Sequence, residues 1–212
     1  MRLFKKHLAN TFFLLLLVML FSCSESELDP RMEKFRELGR EGMHKESNEI
    51  GRELIQRDGE NGRVAFMMSD NFLEMGMEDS GLHYLDLAIS FEPEWPGPYN
   101  NKGLVFQGND EHDKAIEAFD KAIEVDPRFP YSYNNRGYSK ILLGQFKEGM
   151  KDVLKSEELD DDNAYIYRNK AIFYEKTGKL SNACKWLRKA YGKRFYDQIE
   201  SQLEFIELRV CK

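Results

Sequence analysis

The sequence predicts an all-α fold, a solenoid of antiparallel helix pairs, on three observations. First, Ala115, Phe119, Ala122 and Ile123 fall at i, i+4, i+7 and i+8, one face of a helix, while Lys114, Glu117, Asp120, Lys121 and Glu124 fill the other. Second, a shorter helix precedes it, roughly Tyr99 to Gln107, closed by Gly108-Asn109-Asp110. Pro127 ends the second helix, because proline has no amide donor. Third, the pattern recurs every 34 residues: Gly103 becomes Ser69, Gly137 and Ala171; Ala115 becomes Gly81, Gly149 and Ala183; Ala122 becomes Ala88, Ser156 and Ala190. Small side chains at these places let two backbones approach. A lone helix pair cannot bury its apolar face, so the pairs must stack.

In chain order, residues 1–22 read as an export leader. Arg2, Lys5 and Lys6 precede an apolar run, Phe12 to Phe21. That run is too short to cross a bilayer as a helix, which needs about 20 apolar residues. Leu20-Phe21-Ser22-Cys23 resembles the bacterial lipobox. The resemblance implies that Cys23 becomes the first residue after cleavage, carries lipid, and ties the chain to the membrane. The other reading is ordinary cleavage, leaving Cys23 a thiol. Residues 23–30 form an acidic tether. Its stretch Ser24-Glu25-Ser26-Glu27-Leu28-Asp29 resembles the surface-export signal of Bacteroidota lipoproteins, and is equally compatible with a plain solvated linker. An outer-membrane lipoprotein of the cell envelope is expected, on either the periplasmic or the surface face.

Residues 31–61 carry Phe35, Leu38, Ile50, Leu54 and Ile55, enough for two helices, with Gly39, Gly42, Gly51 and Asp58-Gly59 as interruptions. A degenerate N-terminal cap and a linker both fit. Four repeats follow, at 62–95, 96–129, 130–163 and 164–195. Residues 196–212 place Ile199, Leu203, Ile206 and Val210 on one face, as a helix closing the open end of the stack would. Glu157 to Asp162 lack the ordered alternation and glycine of a calcium loop and read as a solvated helix end.

The best-formed unit resembles the tetratricopeptide repeat (TPR), on Tyr99, Lys102, Gly103 and Phe106 of its first helix and Ala115, Phe119, Ala122 and Pro127 of its second. The resemblance spans about residues 62–195. It implies a right-handed superhelical solenoid with a C-terminal capping helix, a concave face lined by the first helices, and capture of proteins or peptides there. Three departures stand out: Lys140 at an aromatic place, Gly149 for alanine, and Asp161 and Phe195 where proline is usual.

The formal net charge is −6, and the leader removes only basic residues, so the remainder is more acidic still. This argues against nucleic acid, which needs basic clusters. No motif for a phosphate loop, zinc site or catalytic nucleophile is present. No cofactor, metal, small-molecule substrate or catalytic residue is therefore assigned. The function expected is a non-catalytic adaptor or scaffold. A structural subunit of an envelope assembly is the alternative, and an envelope hydrolase a third.

The candidate groove follows from the repeat register. Asn101, Asn135 and Asn169 recur at one place in consecutive first helices, and a primary amide can pair with a peptide backbone without reading its side chains. Asn100, Leu104, Tyr131, Asn134, Tyr138, Arg168 and Ile172 surround them by the same register. Packing between helices is the competing role for the asparagines. With Cys23 lipidated, Cys184 and Cys211 remain as an even pair. In an oxidising compartment they form either a disulfide or two buried thiols.

Overall fold

The computed structural model describes residues 29–211; the leader, the lipidation candidate Cys23, residues 24–28 and Lys212 lie outside the described residues. Among the described residues eleven α-helices run in order: α1 (Pro30–Arg40), α2 (His44–Asp58), α3 (Gly62–Glu74), α4 (Glu78–Phe91), α5 (Pro96–Gly108), α6 (His112–Val125), α7 (Pro130–Leu142), α8 (Phe146–Leu159), α9 (Ala164–Lys176), α10 (Leu180–Ala190) and α11 (Tyr196–Val210). No strand occurs among the described residues beyond one isolated bridge, Asn163 to Arg194. Each odd-numbered helix from α1 to α9 packs on the even one after it, and each pair packs on the next, so the architecture is an all-α solenoid.

Local chemistry sets the ends of these helices. Prolines occupy the first turn of α1, α5 and α7, where a missing N–H removes no helical bond. The Asn61 and Asn163 side chains cap α3 and α9, accepting from Val64 N and Tyr165 N at 3.0 Å. The turn inside each pair holds one residue in the left-handed region: Gly42, Gly76, Asp110, Gly144 and Gly178, with φ between 60° and 78°. These five positions are spaced by the repeat length, and Gly42 belongs to the segment before residue 62. The pair α1/α2 thus has the same turn geometry as its successors. Gly39 and Gly51, expected to interrupt this segment, instead lie inside α1 and α2.

The small positions do what sterics demands. A Cβ on Gly103 would stand 2.4 Å from Cε1 of the fully buried Phe119. A Cβ on either Gly137 or Gly149 would stand 2.8 Å from the other's carbonyl oxygen, so α7 and α8 meet backbone to backbone. This accounts for Gly149 where alanine is usual. Lys140, at the aromatic place, donates to Asp152 Oδ2 at 2.8 Å; Arg136 donates to both Asp152 oxygens at 2.6 and 2.8 Å. An ionic network on the buried Asp152 replaces ring packing there. The acidic run is not simply solvated: Glu157 pairs with the buried Lys170, and Asp160 with Arg194.

At the C-terminal end Ile199, Leu203, Ile206 and Val210 of α11 form one cluster with Ala171, Ala183, Leu187 and Ala190. Cys184 and Cys211 are joined as a disulfide across Cα atoms 5.2 Å apart.

Candidate functional site

Consecutive first helices are stitched along the concave side by a row of side-chain hydrogen bonds. Asn101 Nδ2 on α5 donates to Asp70 Oδ1 on α3 at 3.2 Å. Asn135 Nδ2 on α7 donates to Asn100 Oδ1 on α5 at 3.1 Å. Asn169 Nδ2 on α9 donates to Asn134 Oδ1 on α7 at 2.9 Å. Arg168 Nη1 on α9 donates to Gln202 Oε1 on α11 at 2.8 Å.

This row bears on the two roles open to the asparagines, peptide contact and packing between helices. Asn169 is wholly buried, and Asn100 and Asn134 nearly so. A primary amide removed from water must be bonded, and each of these finds its partner in the neighbouring repeat. In this structure these three pack between repeats. Asn101 and Asn135 remain half-buried, each with one N–H used in the row.

The remaining candidates line open depressions on this face. One, of about 270 Å³, is bordered by Leu104, Tyr131, Arg168 and the inner faces of Asn100, Asn134 and Asn135. A second, of about 600 Å³, has Tyr138, Arg168 and Ile172 on its walls. A third, of about 380 Å³, holds Asn101 and Leu104. Asn169 borders none of the three. Arg168 belongs to the first two and joins them.

The structure adds residues that the register argument passed over. Gln107, Asn163, Tyr165 and Phe195 complete the first depression, and Phe205 and Arg209 of α11 stand on the wall of the second. Tyr165 is the repeat-length copy of Tyr131, so the register contains the signal for it. Phe195 has φ 67°, unusual for a bulky residue. The bonds Arg194 N to Asp162 O and Ala164 N to Arg194 O, both 2.9 Å, hold the segment just before it. Its ring lies 6.3 Å from those of Tyr131 and Tyr165. The second depression depends on α11, which lies beyond the four repeats read from the sequence.

Electrostatics singles out the two ends of the row. The Arg168 guanidinium lies 4.8 Å from the Tyr138 ring centre and 4.7 Å from that of Tyr165. Its hydrogen bonds go to Asn169 Oδ1 and Gln202 Oε1, both neutral. Burial lowers its pKa, against smaller raising effects from the two tyrosines. At the other end, burial raises the Asp70 carboxyl to about 6; the Asn101 N–H opposes this and Glu74 adds to it.

Asp70 therefore binds its proton more tightly folded than unfolded, where the ordinary value is 3.8. Its effect on stability is most favourable below about pH 4 and is lost as pH rises through about 6. Asp70→Asn keeps an acceptor for Asn101 and removes the buried charge. It is expected to stabilise the protein by about 1–3 kcal/mol at pH 7.5 and by almost nothing at pH 4. Denaturant melts at both pH values measure this; a pH-independent difference would contradict the assigned shift.

Among the described residues no group of three or more His, Cys, Asp or Glu is placed to hold a metal ion. No helix among them is long and apolar enough to cross a membrane.

Comparison with known proteins agrees with this geometry. A profile of the tetratricopeptide repeat matches residues 98–129. No curated protein matches the chain. Solved structures of similar fold include PilW, a widely conserved type IV pilus biogenesis factor, with TM-score 0.72 and 15% identity over 88% of this chain and 86% of that one. TTC0263, a thermophilic TPR protein of Thermus thermophilus, gives TM-score 0.67 and 16% identity over 84% and 98%. MamA gives TM-score 0.62 and 17% identity over 74% and 91%. At these identities the likeness shows the fold, and the fold is a TPR solenoid.

Proposed function

We propose that the chain is a non-catalytic adaptor, held to the outer membrane through lipid on Cys23, whose concave face captures an extended segment of a partner protein. The observation that carries this is the pair of adjoining open depressions joined at Arg168. Their walls bring together Tyr131, Tyr138, Tyr165, Phe195 and Phe205, large side chains that offer contact area at little entropic cost. The row of amides is already bonded between repeats, so recognition falls to the aromatic walls and Arg168. The lipid anchor rests on the lipobox resemblance at Leu20 to Cys23, and the acidic tether after it fits either membrane face.

The test is a crosslinked pull-down from membranes with the native chain and a Tyr131→Ala/Tyr165→Ala variant. Both tyrosines are only half-buried, so the variant is expected to keep its fold, checked by its melting curve. Loss of a captured partner, about tenfold or more, supports the groove. Equal capture by both proteins removes it.

A second reading has its own observation. On α11, Phe205 is 63% and Leu208 76% exposed, an apolar pair at i, i+3 on the outermost helix. This favours a subunit docked end-on within an envelope assembly, a setting in keeping with the pilus biogenesis role of PilW. Co-purification in fixed stoichiometry that survives the tyrosine variant would select it.

A further inference from the structure

The stitched row on the concave face begins and ends in ionised groups that lack an ionic partner. Asp70, at the α3 end, accepts from the neutral Asn101, and no cation among the described residues pairs with it. Arg168, at the α9 end, is bonded to neutral oxygens and lies between two tyrosine rings, and no carboxylate among the described residues pairs with it. Two further cations stand on the wall of the Arg168 depression: Arg209, already paired with Glu175 at 2.6 Å, and Lys176 at the end of α9. Between the two poles every rung joins neutral amides.

Register places Asp70, and the depressions place Arg168, on the groove side. Asp70 holds in its repeat the place that Leu104, Tyr138 and Ile172 hold in the next three, and those three line the depressions. Arg168 borders two of them. A guanidinium has five N–H donors, and the bonds to Asn169 and Gln202 use three. Two remain, the number a carboxylate takes in a bidentate pair.

We infer that the groove binds an extended segment carrying one basic side chain and one carboxylate, the basic group against Asp70 and the carboxylate against Arg168. This rests on the groove reading above. Asp70 and Arg168 are already partly withdrawn from water in the free protein, so a matching charge gains the pairing with part of the protein's share of the desolvation cost already met. A segment with like charges at both ends meets repulsion at one pole, which makes the preference one of specificity. The spacing follows from the helices. Three steps between first helices at about 8–10 Å each span about 25–30 Å, which extended chain covers in about eight residues. An acidic side chain and a C-terminal carboxylate supply the same chemistry at Arg168.

The test titrates the full chain with pools of octapeptides, acetylated and amidated, with random apolar and polar residues between fixed ends. The pools are Lys first and Glu last, Glu first and Lys last, Lys at both ends, and Glu at both ends. A fifth pool has Lys first and a free C-terminal carboxylate without any acidic side chain. At least one mixed-charge pool is expected to bind tenfold or more tighter than both like-charge pools. Asp70→Asn should abolish the preference over the Glu–Glu pool, and Arg168→Gln that over the Lys–Lys pool. Matching affinity for the fifth pool assigns the carboxylate to a chain end; its loss assigns it to a side chain. If Arg168→Gln does not fold, Asp70→Asn alone decides, since it keeps the bond to Asn101. Equal binding of all pools overturns the two poles and leaves the groove standing. Binding of none overturns both. A free protein that sediments as a dimer and takes up no pool has this face covered by a second copy, which also overturns the inference.

Discussion

Gly137→Ala is expected to destabilise the protein by about 1–3 kcal/mol, and Gly137→Leu by more, although both residues are better helix formers than glycine. The added Cβ would stand 2.8 Å from the carbonyl oxygen of Gly149 and 3.1 Å from the amide nitrogen of Val153. Those atoms are backbone, locked in the hydrogen bonding of α8, so relief requires α7 and α8 to separate as units. Separation would also open the contact of Ile141 with Val153, both fully buried. Gly108→Ala is the control of opposite sign. Gly108 closes α5, has an ordinary φ, and its added Cβ meets nothing within 4 Å. It should gain about 0.4–1 kcal/mol from backbone entropy alone. At about 2–4 °C per kcal/mol for a chain of this size, the alanine variants should melt on opposite sides of the parent. If Gly137→Ala melts at or above the parent temperature, the close crossing of α7 and α8 is not real.

The same sterics explains what could be read from the sequence and what could not. The repeat was legible where size is arranged in one way: small on the first helix, large on the second. Gly103 faces Phe119 in this sense, and Gly137 faces Val153. In α1/α2 the arrangement is inverted. Phe35 sits where the other pairs have glycine, serine or alanine, and Gly51 sits where they have a large residue; a Cβ on Gly51 would stand 3.1 Å from Phe35. The volume is conserved while the letters are exchanged, so a search for recurring small residues passes over a helix pair built to the same plan. The groove was legible to the extent that register alone decides it. Register placed Leu104, Tyr131, Tyr138, Arg168 and Ile172 on one face but could not say which amides were consumed between helices. Asn101 and Asn169 share a position in the period, yet the first remains half-buried and the second is sealed. The difference arises because the helix before Asn169 offers it Asn134, whereas the helix before Asn101 has Phe66 at the equivalent place, and Asn101 turns to Asp70. Such pairings are properties of two helices together. Nor did the register argument supply Phe205 or Arg209: α11 stands 34 residues on from α9 but without its letters, with Phe205 where Gly137 and Ala171 are small and Arg209 where α9 has Glu175.

Removing the Cys184–Cys211 bridge should have an effect of similar size, confined to one end of the molecule. The disulfide closes a loop of 27 residues and fixes the last turn of α11 to the middle of α10. In the chain-entropy model a loop of that length stabilises by about 3 kcal/mol. Cys184→Ser/Cys211→Ser is therefore expected to lower the melting temperature of this end by roughly 6–12 °C. In a solenoid each unit touches only its neighbours, so the loss should not spread evenly. Amide exchange should quicken through α10 and α11, while α1 to α4, with their separate core around Phe35, Leu54 and Met68, keep their protection. The site is involved because α11 carries Gln202, the partner that holds Arg168, and Phe205, a wall of the larger depression. Loosening α11 should thus weaken segment capture at the Arg168 pole before the stack as a whole unfolds. Uniform loss of protection along the chain would show instead that the repeats unfold as one cooperative block. In that case α11 works as a clamp on the whole solenoid, and its removal would be felt equally at Asp70 and at Arg168.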